Sequence, residues 1–263
     1  VFVADKLIYK KLKPVIDSTD TIRFVFSFNG VPNIPHWSTI VENGEKHKNE
    51  FQEKLDYIKS RIQPEDLATI IYTSGTTGIS KGVMLSHKNI VSNAFSTAKC
   101  QPMDHRHRAL SFLPLCHIFE RMINYQYQLK GISIYYLDNL GKIAESMREI
   151  KPHGFTTVPR LLEKLYDRII SKGKDLSGIK RLFFFWAVRL ALNYKLSGKN
   201  SFFHRWQLAL MNKLVLNKWR EAMGGNILAI VSGGAALQER LTKVFWAARI
   251  PVYEGYGLTE TSP

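Results

Sequence analysis

The chain of 263 residues has only two cysteines, Cys100 and Cys116. Two cysteines are too few for a disulfide framework, and this scarcity is typical of proteins from a reducing compartment. No signal peptide is recognisable, and the longest apolar run, Leu182 to Leu192, is interrupted by Arg189 before it reaches the length of a membrane-crossing helix. The sequence therefore predicts a cytoplasmic protein, with any membrane contact being peripheral and on the inner face.

Two common nucleotide-binding signatures are also missing. A Walker A loop needs a glycine before its lysine and a hydroxyl residue after it, whereas Lys81 lies between Ser80 and Gly82. The nearest dinucleotide fingerprint, residues 255–260, has Glu260 where its third glycine belongs. Cys100, His105 and His107 lack a fourth ligand, so they predict a solvated loop rather than a zinc site. Common P-loop, Rossmann and zinc-site functions are thereby disfavoured.

Acidic residues are absent from one long segment, although the chain carries 37 Lys and Arg against 22 Asp and Glu. Residues 180–220 contain no acidic residue and nine basic ones: Lys180, Arg181, Arg189, Lys195, Lys199, Arg205, Lys213, Lys218 and Arg220. Aromatic residues are interleaved with them. Two interpretations stay open: contact with an anionic membrane surface, or two ordinary helices whose basic side chains extend over a packed core. Without a recognised module, nucleic acid is a weaker candidate and is not predicted as a partner.

What the chain does have is a run rich in glycine and hydroxyl groups between two strand-like segments, residues 71–87, reading IYTSGTTGISKGVMLSH. Glycines permit backbone conformations in which successive N–H groups converge on an anion. The Lys81 ammonium adds a mobile positive charge. The run therefore predicts a polyphosphate-binding loop, and the flanking strands argue against an inert linker. Its candidate binding residues are Thr73, Ser74, Gly75, Thr76, Thr77, Gly78 and Lys81.

This run resembles the signature of the acyl-adenylate-forming enzymes, which include acyl-CoA synthetases, luciferases and peptide-synthetase adenylation domains. Three further segments match in order: FLPLCHIFER (112–121), SGGAAL (232–237) and YEGYGLTET (253–261). A fifth, TVPRLLEKLYDRI (157–169), is similar to the long-chain fatty-acid CoA ligase branch. Ser80 departs from the proline that is usual in the family. The chain is therefore identified as a member of this family, in the AMP-forming acyl-CoA synthetase group.

The resemblance implies ATP, Mg²⁺ and CoA as the small molecules involved, and it assigns them residues. It implies that Thr259 contacts the nucleotide phosphate and that Glu260, with Thr73, holds the metal. A carboxylate at Glu260 is also a hard oxygen ligand of the kind Mg²⁺ prefers. The purely structural alternative is a glutamate that stabilises the start of a helix. The implied catalytic set is His117, Lys81, Thr259 and Glu260.

An adenine site is implied by a flat ring opposite a wall of small residues. Tyr256 supplies the ring. The wall consists of Gly233, Gly234, Ala235 and Ala236, and the nucleotide site extends over Glu254, Gly255, Tyr256, Gly257, Leu258 and Thr259. The alternative is a glycine-rich turn with only structural meaning.

His117 is expected where a strand ends and a helix begins. The resemblance implies that its imidazole orients the substrate carboxylate or stabilises its charge during attack. Some long-chain synthetases have a tryptophan gate four residues after this histidine, whereas this chain has Arg121. The acyl chain length is therefore left open.

Strand-like and helix-like segments alternate along the chain, which predicts an α/β fold of mostly parallel sheets flanked by helices. Residues 1–66 are expected to be the remainder of a preceding N-terminal subdomain, with a βαβ-like segment and a long loop over 29–44. Residues 67–263 are expected to be the ATP-binding part of the large N-terminal domain. Family members are roughly twice as long, so the resemblance implies an internal segment without the C-terminal domain, its catalytic lysine or the ribose-binding aspartate.

These inferences predict that the full-length parent activates a long-chain fatty acid to an acyl-adenylate and then to acyl-CoA. The 263-residue segment alone is expected to be inactive and to self-associate, since part of its sheet would be missing. Two alternatives remain: adenylation of another carboxylate, such as an aromatic acid or an amino acid, and a non-catalytic module that binds nucleotide or membrane.

Overall fold

The computed structural model describes residues 1–74 and 78–262, so Gly75, Thr76, Thr77 and Pro263 lie outside the described residues. The chain divides into two compact units, Val1–Gln63 and Pro64–Pro263. The functional assignment of segments 1–66 and 67–263 stays a prediction.

The first unit contains a short βαβ arrangement followed by two helices. Strands β1 (Phe2–Val3) and β2 (Phe26–Ser27) pair in parallel, with helix α1 (Lys6–Asp17) between them. The Asp5 side chain begins α1 by accepting a hydrogen bond from the Ile8 N–H at 2.9 Å. Helices α2 (Ser38–Lys46) and α3 (Lys48–Arg61) complete the unit.

Helix α2 corrects the loop that was expected over residues 29–44. The turn-forming Gly30, Pro32 and Pro35 all precede the helix, so they shape its approach and do not interrupt it. Gly44 does lie inside α2, where a glycine costs about 1 kcal/mol relative to alanine without preventing helix formation. The irregular segment is therefore shorter than the sequence indicated.

The second unit begins with an antiparallel hairpin that carries the predicted phosphate loop at its turn. Strands β3 (Leu67–Thr73) and β4 (Lys81–Ser86) pair from Leu67 with Ser86 to Thr73 with Lys81. Helix α4 (His87–Ala98) follows directly. Ser86 begins this helix in a capping box with Asn89, each side chain bonding to the other residue's backbone N–H.

A five-stranded parallel sheet forms the centre of the second unit, in the order β6-β5-β7-β8-β9. Its strands are β5 (Arg108–Ser111), β6 (Ser133–Tyr136), β7 (Gly154–Thr157), β8 (Ala229–Ser232) and β9 (Val252–Glu254). Leu110, Phe155 and Ile230 are buried on neighbouring strands, as expected for parallel strands covered on both faces. The predicted α/β class with mostly parallel pairing is confirmed.

Helices connect and cover these strands, and they supply most of the core. They are α5 (Ile118–Leu129), α6 (Ile143–Ile150), α7 (Pro159–Lys174), α8 (Gly178–Leu192), α9 (Phe202–Met211), α10 (Asn217–Ala222) and α11 (Glu239–Ala247), with a π-helical turn over Asn212–Leu216. The largest cluster packs residues such as Phe184, Trp219 and Phe245 against the sheet. Within the described ranges, no helix combines the length and apolarity required to span a bilayer.

Candidate nucleotide and acyl site

The predicted site segments follow the carboxyl ends of three strands of one parallel sheet. His117 lies in the connection after β5, Gly233 to Leu237 follow β8, and Gly255 to Glu260 follow β9. Carboxyl ends of parallel strands meet at one edge, where α/β proteins form ligand sites. The order of the motifs along the chain therefore becomes proximity in space.

Backbone hydrogen bonds hold the two glycine-rich segments side by side. The Gly255 N–H donates to the Ser232 carbonyl at 2.8 Å, and the Gly233 N–H donates to the Thr157 carbonyl at 3.0 Å. The Glu254 carboxylate accepts from the Leu237 N–H at 3.0 Å. Glu254 therefore ties the end of β9 to Leu237, the residue that follows the wall of small residues, which is a positioning role that does not need nucleotide contact.

Two glycines in the wall have structural reasons to be glycine. A Cβ on Gly233 would come within 2.9 Å of the Phe119 ring, which is closer than side chains normally approach. Gly234 has φ of +81°, a left-handed conformation that favours glycine. The wall thus lies close to the Phe119 side chain of helix α5. Its residues are small because of this packing, whether or not a ligand also requires it.

One cavity of about 730 Å³ brings most of the predicted residues together. Such a volume is within the range typical of small-molecule sites. Tyr256 is 93% exposed, so its ring is free to contact a ligand. The predicted residues that line the cavity are Thr73, Ser74, His117, Gly234, Glu254, Gly255, Tyr256, Gly257, Leu258, Thr259 and Glu260.

Several of the predicted residues do not themselves line this cavity. Lys81 is exposed at the start of β4, paired with Thr73 across the hairpin, and is not among the described residues that line the cavity. Gly78, Gly233, Ala235 and Ala236 likewise do not line it. The predictions for Gly75, Thr76 and Thr77 fall outside the described residues.

The predicted metal ligands fit a Mg²⁺ site in which most of the ligands are phosphate oxygens of the substrate. Glu260 and Thr73 both line the cavity, one with a carboxylate and one with a hydroxyl. Within residues 1–74 and 78–262, no group of three His, Cys, Asp or Glu side chains forms a self-sufficient metal cage. Mg²⁺ is commonly held by one or two carboxylates together with phosphate oxygens and water, which suits this arrangement.

Sequence reasoning missed the other wall of the cavity, which helices α4 and α5 provide. Residues of both helices and of the connection after α4 line it: Ser96, Thr97, Cys100, Gln101, Pro102, Ile118, Phe119, Met122, Ile123 and Gln126. Gln126 donates its Nε2 to the Gln101 Oε1 at 2.6 Å, which links α5 to the α4 connection. Ile118 and Phe119 belong to the segment 112–121 that resembles the family. For the other positions no motif was available, and the only signal was the helical periodicity of α5.

A buried carboxylate was also missed. Glu120, in the first turn of α5, is 1% exposed. It accepts hydrogen bonds from the Ser111 Oγ at 2.5 Å and from the Thr156 hydroxyl, so it joins α5 to the ends of β5 and β7. Burial is the largest influence and raises the pKa of Glu120 above its usual value, while the hydrogen bonds oppose that shift. This network fixes the helix whose N-terminal end carries His117.

Arg121 does not line the cavity that contains His117. Its Nη1 donates to the Thr69 Oγ1 at 2.9 Å, and its side chain lines a separate cavity with residues of β3 and α4. The residue at the family's tryptophan-gate position therefore braces the hairpin against α5.

The fold defines the class of protein first. Over 100% of this chain and 43% of the other, it aligns with a long-chain-fatty-acid-CoA ligase from Archaeoglobus fulgidus, with a TM-score of 0.61 and 20% identity. The adenylation domain of a carboxylate reductase from Mycobacterium chelonae aligns with a TM-score of 0.61 and 19% identity, over 95% of this chain and 38% of that one. The fold is that of the N-terminal domains of adenylate-forming enzymes.

The family follows from the sequence comparisons. A family model described as "AMP-binding enzyme" matches residues 16–263, so the chain belongs to that family, and the predicted membership is confirmed. A long-chain-fatty-acid–CoA ligase of Xenopus laevis is 36% identical over 88% of this chain and 32% of its own length. Long chain acyl-CoA synthetase 4 of Arabidopsis thaliana is 31% identical over 99% of this chain and 40% of its own length. The chain thus spans roughly a third of the length of the curated relatives it matches.

Proposed function

We propose that the parent of this chain is an AMP-forming long-chain fatty-acid CoA ligase. A fatty carboxylate oxygen attacks the α-phosphorus of ATP, and the bond to pyrophosphate breaks, giving an acyl-adenylate. The sulfur of CoA then attacks the acyl carbonyl carbon, AMP leaves, and the thiol proton passes to solvent. The single cavity that combines the segment after β9, His117 and the α4–α5 wall supports this proposal.

Each part of the cavity has a chemical task in that reaction. Tyr256 and Gly234 hold the adenine, while Thr73, Ser74 and Thr259 contact phosphate oxygens. Mg²⁺ on Glu260 would neutralise phosphate charge when bound. His117 orients the carboxylate, and positioning with charge neutralisation supplies most of the rate enhancement because this chemistry needs little acid or base from the protein.

The acyl chain is proposed to contact the α4–α5 wall. Ile118, Phe119, Met122 and Ile123 offer apolar surface beside His117, so a carboxylate at His117 can have its aliphatic tail between the two helices. Names of relatives such as the ligase of Xenopus laevis point to the same substrate class. Adenylation of an aromatic or amino acid would place a shorter, more polar group there.

The experiment is ATP–pyrophosphate exchange by the full-length parent with a panel of carboxylic acids. We expect Mg²⁺-dependent exchange with long-chain fatty acids and little with aromatic or amino acids. A Glu260→Gln variant should need more Mg²⁺ for half-maximal exchange because one anionic ligand is lost. Exchange with another acid class would replace the substrate assignment, and no exchange with any acid would favour a non-catalytic module.

We further propose that helix α9 makes the peripheral membrane contact, on the cytoplasmic face. Its buried side packs through Leu208 and Met211, whereas Phe202, Phe203 and Trp206 are exposed, Phe202 to 85%. The basic segment around them contains no acidic residue over 180–220. Both interpretations of this segment are thereby combined: α8 and α9 are packed helices, and one face of α9 has the aromatic and basic character of an interfacial helix.

A vesicle-binding assay at increasing salt tests this contact. Binding to anionic vesicles should fall as salt rises, since each basic residue contributes on the order of 1 kcal/mol through a screened field. Trp206→Ser should weaken binding, whereas Phe51→Ser, which removes an exposed aromatic ring from α3, should not. Equal binding to neutral and anionic vesicles, or binding to neither, would contradict the proposal.

A further inference from the structure

A second cavity, separate from the nucleotide cavity, lies among helices α7, α8 and α10 and the π-helical turn. Its volume is about 470 Å³, within the range of small-molecule sites. None of its lining residues is shared with the cavity that contains His117 and Glu260. It therefore has no part in the reaction proposed above.

The lining of this cavity has an unusual chemical composition. Nine of its twelve lining residues are apolar or glycine, including Phe184 and Trp219 at its buried side. The other three are Lys172, Lys180 and Lys218, and no acidic or neutral polar side chain lines it. Each lysine comes from a different helix, so the fold, and not a local sequence run, brings the three charges to one cavity.

These lysines have no anionic partner in the part of the chain that the structure describes. All three side chains are exposed, and none forms an ion pair with a described carboxylate. Lysine stems often cover apolar surface with the ammonium in water. Here three lysines line one otherwise apolar cavity, which matches a ligand with an aliphatic body and an anionic head.

A π-helical turn forms part of the backbone around the cavity. Leu214 and Val215 line it from the π-helical turn, and such turns frequently occur at functional sites. Asn212 and Arg220 hold this turn: the Asn212 Nδ2 donates to the Ala247 carbonyl at 2.9 Å, and the Arg220 Nη1 donates to the Asn212 Oδ1 at 2.8 Å. One buried and one partly buried hydrogen bond thus hold the turn independently of the cavity.

Gly173 shapes the opposite side. A Cβ there would lie 2.0 Å from the Phe184 ring, so only glycine lets this ring pack against α7. Phe184 in turn lies against Trp219, with ring centroids 6.1 Å apart. The aromatic side of the cavity therefore consists of rings held by close packing.

We propose that this cavity binds a long-chain aliphatic anion, of which a free fatty acid is the simplest example. The chain contacts Phe183, Phe184, Leu214 and Trp219, and the carboxylate lies among Lys172, Lys180 and Lys218. A nucleotide or inorganic phosphate lacks the apolar body that this lining would cover, and a neutral lipid would leave the lysines unused. The site is a second acyl-binding site that takes no part in adenylation, and the proposal does not depend on the parent's reaction.

The test uses quenching of tryptophan fluorescence by monomeric bromostearate, without ATP, Mg²⁺ or CoA. Bromine quenches on contact, so saturable quenching that disappears in Trp219→Phe reports this cavity. Trp246 reports the other one, since its ring packs on Tyr253, which lines the nucleotide cavity. A Trp246→Phe variant should keep the Trp219 signal. Acid-dependent exchange and Trp219 quenching can therefore fail independently.

Matched variants test the charge and the cavity separately. Each of Lys172→Gln, Lys180→Gln and Lys218→Gln should weaken bromostearate binding about two- to fivefold, as expected for exposed ion pairs. Lys174→Gln is the control, because Lys174 lies on α7 like Lys172 but does not line the cavity. It should leave bromostearate binding unchanged. Ala222→Phe, at an exposed lining position, should occupy the cavity and abolish Trp219 quenching even if the lysine variants fold poorly.

Four outcomes would overturn the proposal. Bromostearate that leaves Trp219 fluorescence unchanged would show that the cavity takes no acyl anion. Equal quenching by a neutral brominated octadecanol, or no effect of the lysine variants, would show that the lysines do not bind an anionic head and only cover apolar surface with their aliphatic stems. Quenching by vesicles of brominated anionic phospholipid, but not by the free acid, would assign the cavity to the membrane surface.

Discussion

Replacing Glu120 with glutamine tests whether the buried network behind His117 is held in a proton-dependent way. Glu120→Gln keeps the size of the side chain and one carbonyl acceptor for the Ser111 hydroxyl, but it removes the ionisable group. In the native chain, burial raises the pKa of Glu120 above its usual value near 4.5. The folded state therefore holds the Glu120 proton at pH values where the unfolded chain has lost it.

The sign of the pH effect follows from this difference. The contribution of Glu120 is fully present below the unfolded pKa and is lost as pH rises through the raised folded pKa. Over that window, the free energy of unfolding of the native chain falls by up to about 1.4 kcal/mol per pH unit relative to Glu120→Gln. At low pH the variant should be less stable by about 1 kcal/mol, because it loses one good hydrogen bond in the network.

Urea unfolding at several pH values, from below the ordinary carboxyl range to neutrality, measures both quantities. Glu149→Gln, which changes an exposed glutamate on α6, is the matched control and should show no such trend. A stability difference between Glu120→Gln and the native chain that stays constant, or that moves against the variant as pH rises, would refute the reasoning. It would mean that Glu120 is ionised at least as easily in the folded chain as in the unfolded one.

Two further predictions concern the phosphate loop and the wall. In the parent, Lys81→Ala should slow single-turnover acyl-adenylate formation by roughly 1.5 to 3 kcal/mol in barrier, the usual worth of a charge-assisted contact, and an unchanged rate would remove Lys81 from the site. Gly233→Ala should destabilise the chain by about 1 to 3 kcal/mol because its Cβ meets the Phe119 ring at 2.9 Å. Gly44→Ala, with nothing within 4 Å, should instead stabilise α2 by up to about 1 kcal/mol, so similar changes in melting temperature for both would contradict the packing argument.

Much of the fold could be predicted because local patterns carried it. The strand over Leu67–Thr73 and the helices over Ile118–Leu129 and Ile143–Ile150 are recognisable in the sequence, since their periodicity and flanking residues agree. Helix α2 was missed because nearby prolines suggested a loop. The antiparallel pairing of β3 with β4 was not predicted, because a strand's own residues do not state which neighbour it will join.

Site prediction was limited in a similar way. Tyr256, Thr259 and Glu260 were marked by a motif, and the strand before them places them at the edge of the sheet. Gln101 and Gln126 were not marked, because only the packing of α4 beside α5 turns their positions into a cavity wall. Lys81 shows the converse: a motif named it, yet the hairpin leaves it exposed and outside the described lining.

By itself, the sequence determined the family, most of the order of strands and helices and the residues that follow each strand, because these depend on motifs and short-range periodicity. Tertiary structure alone decided that Glu120 is buried and that Lys172, Lys180 and Lys218 share one cavity. A glutamate in the first turn of a helix and lysines from three helices look solvated in a sequence. Only packing against elements that are many residues away in the chain removes water from Glu120 and brings the three lysines together.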